Sequence, residues 1–251
     1  MLKAGWKMTA ELTVSIDDSD RFLPKLRDNI EKNGFAYIES KHCAEQFEDI
    51  GAALGKIKLR SDIKINKELD SMNKKTRISG NIKNNRPSSL RAQALALHTD
   101  RPTVNIIGFH CVRQDEESGH LTIVDTLSIA GWFSEDELAR LARIKITYTD
   151  RKNGVGKEFS GLNSIVEKKS ERYNIYYAPW FFPESRGQYE DSLIEKLKEF
   201  VDRQKACAAT NILLSPGQSV FIDNQRMLHG REAISEVSKR HLIRLYIDTD
   251  K

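Results

Sequence analysis

From residue 94 onward the sequence alternates short apolar segments with turns, and this pattern constrains the fold more than any other feature. VNIIGFHCV at 104–112 and SVFID at 219–223 are typical of these segments, which are rich in β-branched and aromatic residues. Many short strands separated by turns are characteristic of sandwiches and barrels. We therefore predict a mainly β protein of the jelly-roll type.

Helical patterns flank and interrupt the strands. Residues 1–55 predict a helix, a strand and a second helix, because apolar residues recur at helical spacing on either side of FAYIE. Another helix is predicted from the capping box Ser134-Glu-Asp-Glu137. A fourth is predicted over about 189–208, with an apolar stripe that we expect to pack on the sheet. Residues 92–251 would thus form a jelly-roll core with helical insertions, and 1–251 a single domain.

Residues 56–91 differ in composition from the rest of the chain. They are polar, basic and rich in Asn and Ser, with aliphatic residues spaced among them. A connection of this length inside a compact domain is usually a lid, a binding loop or a disordered segment. We predict a lid or insertion, and a solvated loop without a role remains the alternative.

Composition narrows the functional classes. Hydrophobic residues make up 39% and charged residues 30%, which argues against disorder, and the longest apolar stretches are shorter than the roughly 20 residues of a membrane-spanning helix. No apolar run of signal-peptide length precedes Asp17. Cys43, Cys111 and Cys207 lack zinc-site spacing, so we expect reduced thiols in the cytoplasm. A net charge of +4 does not indicate a nucleic-acid partner. The oligomeric state is not evident from the sequence.

Two separated motifs carry candidate metal ligands. His98 and Asp100 lie two residues apart at the end of a strand-like segment and therefore point to one face. Alone, this triplet often arises by chance, and side chains bonded to a neighbouring turn would explain it better than a metal site. His229 follows a turn and a strand near the C-terminus, and two histidines with one carboxylate are the ligands of a mononuclear non-haem Fe(II) site. Arg240 and Arg244, four residues apart in RHLIRLYID, each offer a planar fork for a carboxylate.

These motifs resemble those of a known superfamily. HTD at 98–100, FIDNQRMLHGR at 221–231 and an arginine eleven residues after His229 are similar to the Fe(II)- and 2-oxoglutarate-dependent oxygenases related to taurine dioxygenase, γ-butyrobetaine dioxygenase and clavaminate synthase. NGFAYIE and the helix ending in ALGKI are similar to that superfamily's opening. The resemblance runs from about Asn33 and is weakest over 56–91 and 150–190.

The resemblance implies a fold and a set of site residues. The fold would be a double-stranded β-helix with the active site between its sheets. His98, Asp100 and His229 would hold Fe(II), and Arg240 would bind the distal carboxylate of 2-oxoglutarate. Arg244 would bind an anionic group of the substrate, with a structural salt bridge as the alternative.

Thr122 departs from the superfamily's pattern. The superfamily commonly has Gly-Gly-x-Thr after the HxD loop, with the threonine hydroxyl on 2-oxoglutarate, whereas residues 118–122 are Ser-Gly-His-Leu-Thr. The threonine comes one residue late, and a one-residue slip turns a strand side chain to the opposite face. Thr122 would bind 2-oxoglutarate only if a bulge or shifted turn absorbs the extra residue.

The implied activity is oxidation by O2 of an aliphatic C–H bond, most often hydroxylation. The substrate would be a small polar metabolite such as an amino acid or related carboxylate, with release of succinate and CO2. Two alternatives remain open: a non-catalytic jelly-roll protein that binds a small molecule, and a nucleic-acid-binding module that uses the basic residues of 56–91. That segment has no Phe, Tyr or Trp to stack on bases.

Four other features have mainly structural explanations. We predict that His110 is a core histidine and that Asp223-Asn224 is a turn-forming pair. His120 lies at a loop–strand junction that could approach the site, although nothing in the sequence requires it. Trp180 belongs to the aromatic cluster YYAPWFF, for which we favour core packing over a substrate wall.

Overall fold

The structure is a computed structural model that describes residues 13–15, 19–65, 92–115, 118–151, 158–182 and 187–249. Its larger sheet has six strands. In spatial order they are β1 (Thr13–Val14), β2 (Phe35–Ile38), β12 (Ser219–Asp223), β5 (Ile106–Arg113), β14 (His241–Asp248) and β3 (Lys56–Lys64). Only the β1–β2 pair in this sheet is parallel.

The smaller sheet has four antiparallel strands. Their order is β11 (Thr210–Ile212), β6 (Leu121–Asp125), β13 (Met227–Arg231) and β4 (Leu95–His98). Two antiparallel pairs lie outside it: β7 (Lys145–Arg151) with β8 (Glu158–Ser164), and β9 (Val166–Lys169) with β10 (Arg172–Ile175). The prediction of a mainly β jelly roll with flanking helices is confirmed.

Four α-helices are present in the described part of the chain: α1 (Ser19–Asn33), α2 (Ala44–Leu54), α3 (Glu135–Arg143) and α4 (Gln188–Ala208). Short 3-10 helices span Leu127–Gly131 and Pro179–Phe181. The predicted capping box starts α3, since Ser134 Oγ accepts from the Glu137 amide and the Glu137 carboxylate accepts from the Ser134 amide. All four predicted helices are therefore found.

The period-two alternation of strand side chains divides the core into layers. On β5, Ile107 and Phe109 face the smaller sheet, whereas Ile106 packs against α1 and α2. On β12, Val220 and Phe221 face opposite sides in the same way. A third apolar cluster joins the outer side of the smaller sheet to α3 and α4. The space between the sheets is thus bounded by inward-facing residues of both.

The structure corrects one boundary of the predicted insertion. Residues 56–64 form the edge strand β3, which pairs with β14 along its whole length. Its charged residues are exposed and alternate with less exposed aliphatic ones. This period-two alternation was not recognised in the sequence because the segment is polar overall. Charged residues on an edge strand discourage pairing with other chains. Residues 66–91, the remainder of the predicted lid, lie outside the described residues.

Within the described ranges, no helix is long and apolar enough to cross a lipid bilayer.

Candidate metal centre between the sheets

A cavity of about 260 Å³ lies between the two sheets. Its walls come from β3, β5 and β14 of the larger sheet and from β4, β6 and β13 of the smaller one. Apolar side chains such as Phe109, Leu121 and Leu242 line part of it. The jelly-roll architecture therefore places a partly apolar chamber where strands of both sheets can contribute polar groups.

Three potential metal ligands converge in this cavity. His98, the last residue of β4, is directly opposite His229 of β13, and their ring centroids are 4.4 Å apart. Nε2 of His98 lies 3.5 Å from Oδ1 of Asp100, and Nε2 of His229 lies 3.8 Å from Oδ2. The ligand atoms of all three residues lie within 4.8 Å of one another. Strand pairing and the two-residue spacing thus bring together groups that are 131 positions apart in the chain.

Asn224 fixes the loop that carries Asp100. Its Oδ1 accepts from the Asp100 amide at 2.8 Å, and its Nδ2 donates to the carbonyls of Arg101 and Val104 at 3.1 and 2.9 Å. Asp223 Oδ1 accepts from the Gln225 amide at 2.9 Å, which confirms the predicted turn. The same turn therefore leads into β13 and holds the HxD loop against it.

A hydrogen bond orients the His98 ring, whereas burial and nearby charges set the protonation of His229 and Asp100. His98 Nδ1 donates to the Ala96 carbonyl at 2.9 Å, which leaves the Nε2 lone pair facing the cavity when the ring is neutral. Burial and the neighbouring His98 lower the pKa of His229 to about 3, so this imidazole is neutral near pH 7. Burial alone would raise the pKa of Asp100, but Arg244 and the two histidines outweigh it and hold the pKa below its usual range. The cluster therefore offers two imidazoles, of which that of His229 is neutral, and one ionised carboxylate.

This donor set fits a divalent iron ion. Two imidazoles and one carboxylate are the ligands of non-haem Fe(II) sites that keep open positions. His229 Nδ1 is buried without a hydrogen-bond partner among the described residues, while Nε2 faces the cavity. Hydrogen bonds within the described residues thus do not fix this ring, and coordination through Nε2 would supply the missing constraint.

Two buried arginines lie in the same cavity. Arg240 Nε donates to Gln114 Oε1 at 2.9 Å, and burial and repulsion from Arg231 lower its pKa to about 10. Arg231 follows His229 by two residues, on the same face of β13, and its Nη2 donates to the Gln93 carbonyl at 2.6 Å. Bringing a carboxylate into this cavity would offset the repulsion, so the arginines fit a dicarboxylate such as 2-oxoglutarate. The sequence analysis missed Arg231, although its period-two spacing from His229 was visible.

Arg244 and Tyr246 contact the Asp100 carboxylate directly. Arg244 Nη1 lies 3.2 Å from Oδ2, and the Tyr246 hydroxyl donates to the same oxygen at 3.0 Å. The Tyr246 ring also lies beneath the guanidinium groups of Arg244 and Arg101, at 4.5 and 5.1 Å from its centroid. Burial raises the pKa of Tyr246 well above its usual range, so the hydroxyl remains protonated. The sequence analysis also missed Tyr246, although it follows Arg244 by two residues in the same strand.

The structure does not place Thr122 at the cavity. Thr122 is opposite Gly230 in the β6–β13 pair, and its hydroxyl donates to Asn211 Oδ1 at 2.8 Å on the outer side of the sheet. The preceding residue, Leu121, lines the cavity instead. No bulge absorbs the extra residue, because β6 and β13 pair in continuous register. The expectation that Thr122 binds 2-oxoglutarate is therefore corrected.

Of the other residues considered in the sequence analysis, one lines the cavity and two lie outside it. Trp180 lines the cavity with its ring 5.1 Å from that of His98, so the alternative of a site wall describes it better than core packing alone. His110 is buried and bonded to Ser219 Oγ at 2.9 Å, which confirms the core assignment. His120 pairs with Glu232 at 2.7 Å, outside the cavity lining.

Comparison with known proteins adds a family match. The sequence model of the taurine catabolism dioxygenase TauD, TfdA family matches residues 3–246. The γ-butyrobetaine dioxygenases of Homo sapiens and Pongo abelii are each 27% identical over 180 residues, covering 62% of this chain and 44% of theirs. The chain thus aligns with less than half the length of these relatives.

Solved structures show the same fold. An asparagine oxygenase in complex with Fe(II), 2S,3S-3-hydroxyasparagine and succinate superposes with a TM-score of 0.68 at 14% identity, over 93% of this chain and 80% of that one. The non-haem iron oxygenase OrfP in complex with Fe and alpha-ketoglutaric acid gives 0.60 at 14% identity, over 93% and 79%. PvcB from Pseudomonas aeruginosa gives 0.61 at 18% identity, over 90% and 79%.

Proposed function

The chain belongs to the taurine catabolism dioxygenase TauD, TfdA family, and from this premise we propose that it is an Fe(II)- and 2-oxoglutarate-dependent dioxygenase. It would oxidise, most often by hydroxylation, an aliphatic C–H bond of a small polar metabolite. The observation that carries this proposal is the convergence of His98, Asp100 and His229 in a cavity also lined by Arg240.

The three converging residues would hold the iron. His98 and His229 each direct Nε2 into the cavity, the His229 imidazole is neutral, and Asp100 provides the single negative charge. Iron and 2-oxoglutarate, once bound, supply the activation of O2, with release of succinate and CO2. The protein orients these groups, and the apolar walls formed by Phe109, Leu121 and Trp180 limit the access of water.

Arg240 would bind the distal carboxylate of 2-oxoglutarate. Its guanidinium is buried, and its Nε is fixed by Gln114 at 2.9 Å, so the group is held in place before the ligand arrives. A guanidinium can donate two parallel hydrogen bonds to a carboxylate, and such charge-assisted bonds are stronger than neutral ones. The position of Arg240 in the cavity wall supports this role.

The substrate would be an amino acid or a related carboxylate. Among the described residues that line the cavity, three are arginines and one is a carboxylate, a balance that favours anionic ligands. Arg244 lies at the cavity beside Asp100 and would bind the substrate's anionic group. The amino acids bound in similar structures, 2S,3S-3-hydroxyasparagine and (3S)-hydroxy-L-Arg, belong to the same chemical class.

We place the protein in the cytoplasm. All three cysteines are unpaired, two of them exposed, and free thiols persist in a reducing compartment.

The cavity would accept a small molecule rather than a macromolecular partner, because its volume of about 260 Å³ is close to the lower end of small-ligand pockets.

A turnover assay tests the proposal. Purified protein with Fe(II), ascorbate, O2 and 2-oxoglutarate is expected to form succinate, and faster when the correct member of a panel of amino acids is added. His98→Ala should abolish succinate formation, whereas His110→Asn, a matched change outside the cavity, should retain it. Wild-type protein that binds neither iron nor 2-oxoglutarate and forms no succinate would contradict the proposal.

A further inference from the structure

The Asp100 carboxylate is asymmetrically bonded. Oδ2 accepts a hydrogen bond from the Tyr246 hydroxyl at 3.0 Å and lies 3.2 Å from Arg244 Nη1. Oδ1 lies 3.5 Å from Nε2 of His98. Oδ2 also lies 3.8 Å from Nε2 of His229, so each oxygen is near one histidine. The difference between them is that β14 engages Oδ2 through Tyr246 and Arg244.

Tyr246 is firmly held in the position from which it bonds to Asp100. The residue is 4% exposed and belongs to the apolar cluster between the sheets. Its ring lies under the guanidinium groups of Arg101 and Arg244, so cation–π contacts restrain it. Pairing of β14 with β5 on one side and β3 on the other fixes its backbone. The hydroxyl is therefore a rigid donor aimed at one carboxylate oxygen.

Such a donor has a direct consequence for a carboxylate that binds a metal. A free carboxylate can bind through one or both oxygens, and binding through both would occupy a further coordination position. The reaction needs open positions for 2-oxoglutarate and for O2. A hydrogen bond that retains Oδ2 keeps the carboxylate from rotating, and outer-sphere partners of this kind orient ligands and tune affinity.

We propose that Tyr246 is a positioning residue that holds Asp100 Oδ2, so that Asp100 binds the metal through Oδ1 alone. This inference rests on the proposed function, because it assigns a role toward the metal that the function requires. Tyr246 would act through Asp100 and would not itself contact the iron.

The test compares two variants, each of which lacks one tyrosine hydroxyl. Tyr246→Phe removes the bond to Asp100 and keeps the ring that contacts Arg101 and Arg244. Tyr37→Phe is the matched control, because Tyr37 is a buried tyrosine of the same apolar cluster but lies outside the cavity lining. Metal-free forms of both variants and the wild type are compared by thermal unfolding, and Co(II) is then titrated as a spectroscopic probe without oxygen.

We expect Tyr246→Phe to weaken Co(II) binding by about 10- to 100-fold and to change the Co(II) absorption spectrum, as a change in coordination requires. Tyr37→Phe should match the wild type in both measurements. Equal Co(II) affinity and an unchanged spectrum in a folded Tyr246→Phe protein would overturn the assignment while leaving the proposed function intact. Wild-type protein that binds neither Fe(II) nor Co(II) would overturn both.

A second measurement needs no variant. X-ray absorption of the Co(II)-loaded wild type is expected to show one carboxylate oxygen bound to the metal. Two bound oxygens from the carboxylate would overturn the proposed role of Tyr246, even if the Tyr246→Phe protein failed to fold.

Discussion

Two pairs of histidines lie on opposite sides of the larger sheet, and only one pair has the features of a metal site. His98 and His229 face the cavity beside Asp100. His42 and His110 lie on the other side, where Phe47 of α2 stacks on the His110 ring at 5.2 Å. His110 directly follows Phe109, which lines the cavity. A single position along β5 therefore separates the two environments.

The hydrogen bonds of the second pair explain the difference. His42 Nδ1 donates to the Ser40 carbonyl at 2.9 Å, so its Nε2 is the acceptor for the Ser219 hydroxyl at 2.8 Å. Ser219 Oγ in turn accepts from His110 Nδ1 at 2.9 Å. These three ring nitrogens are occupied by hydrogen bonds, whereas Nε2 of each histidine in the first pair faces a cavity that also contains a carboxylate. A metal site thus depends on ring nitrogens that are available for coordination and on a nearby anion, and a pair of histidines alone does not define it.

The largest expected contrast is in metal binding. His229→Ala removes one of three ligands and should lower the affinity for Fe(II) by more than the roughly 100-fold that loss of an outer partner costs. His110→Asn should leave that affinity unchanged. Anaerobic Fe(II) titration of the two variants measures the difference, and equal losses in both would erase the distinction between the pairs.

The second contrast is in stability against pH. Burial, and then the electrostatic effect of the neighbouring His42 ring, lower the pKa of His110 from 6.5 to about 4. His110 is therefore protonated below about pH 6.5 in the unfolded chain but only below about pH 4 in the folded protein. Between these two pH values the unfolded state binds more protons. The free energy of unfolding should fall as pH drops from about 6.5 to about 4, by up to about 3 kcal/mol from this residue.

Urea unfolding of the metal-free protein across that pH range measures this decrease in the free energy of unfolding. His110→Asn should make the decrease smaller, whereas His120→Gln, which removes a histidine outside the buried pair, should leave it unchanged. An identical pH profile for the wild type and His110→Asn would show that the buried pair does not contribute to acid instability.

A smaller contrast separates two candidate groups for 2-oxoglutarate. Arg240→Ala should weaken 2-oxoglutarate binding by more than about tenfold, equivalent to about 1.4 kcal/mol, and leave iron binding largely intact. Thr122→Val should change neither, because this hydroxyl bonds Asn211 outside the cavity. Calorimetric titration of the iron-loaded proteins with 2-oxoglutarate, without oxygen, measures the dissociation constant of 2-oxoglutarate for each variant. A large loss in Thr122→Val, or none in Arg240→Ala, would reverse the two assignments.

The sequence was sufficient to predict the elements that local patterns encode. Strand periodicity, the capping box at Ser134 and the turn at Asp223 are short-range signals, and each is found in the structure. The three candidate ligands were identifiable because the motifs that contain them occur in the order and spacing of a known superfamily. Edge strand β3 was missed because charged residues occupy most of its exposed positions, and such a polar composition also suits a loop.

The remaining site residues depend on long-range register. Whether Thr122 faces the cavity is decided by its pairing with Gly230, more than one hundred positions away. Tyr246 reaches Asp100 only because β14 lies beside β5, and Trp180 reaches His98 only because the 3-10 helix at Pro179–Phe181 packs at the cavity. Such neighbours cannot be derived from spacing along the chain, since they are set when the sheets assemble.

The most direct test of the central claim is visible spectroscopy of the wild-type protein with Fe(II) and 2-oxoglutarate in the absence of oxygen. If the cavity holds both, a weak charge-transfer band of the iron–2-oxoglutarate chelate should appear, saturate with 2-oxoglutarate and be lost in Asp100→Ala. A wild-type protein that shows no band and no binding of either component, under conditions where it is folded, would contradict the assignment of this cavity as an oxygenase site.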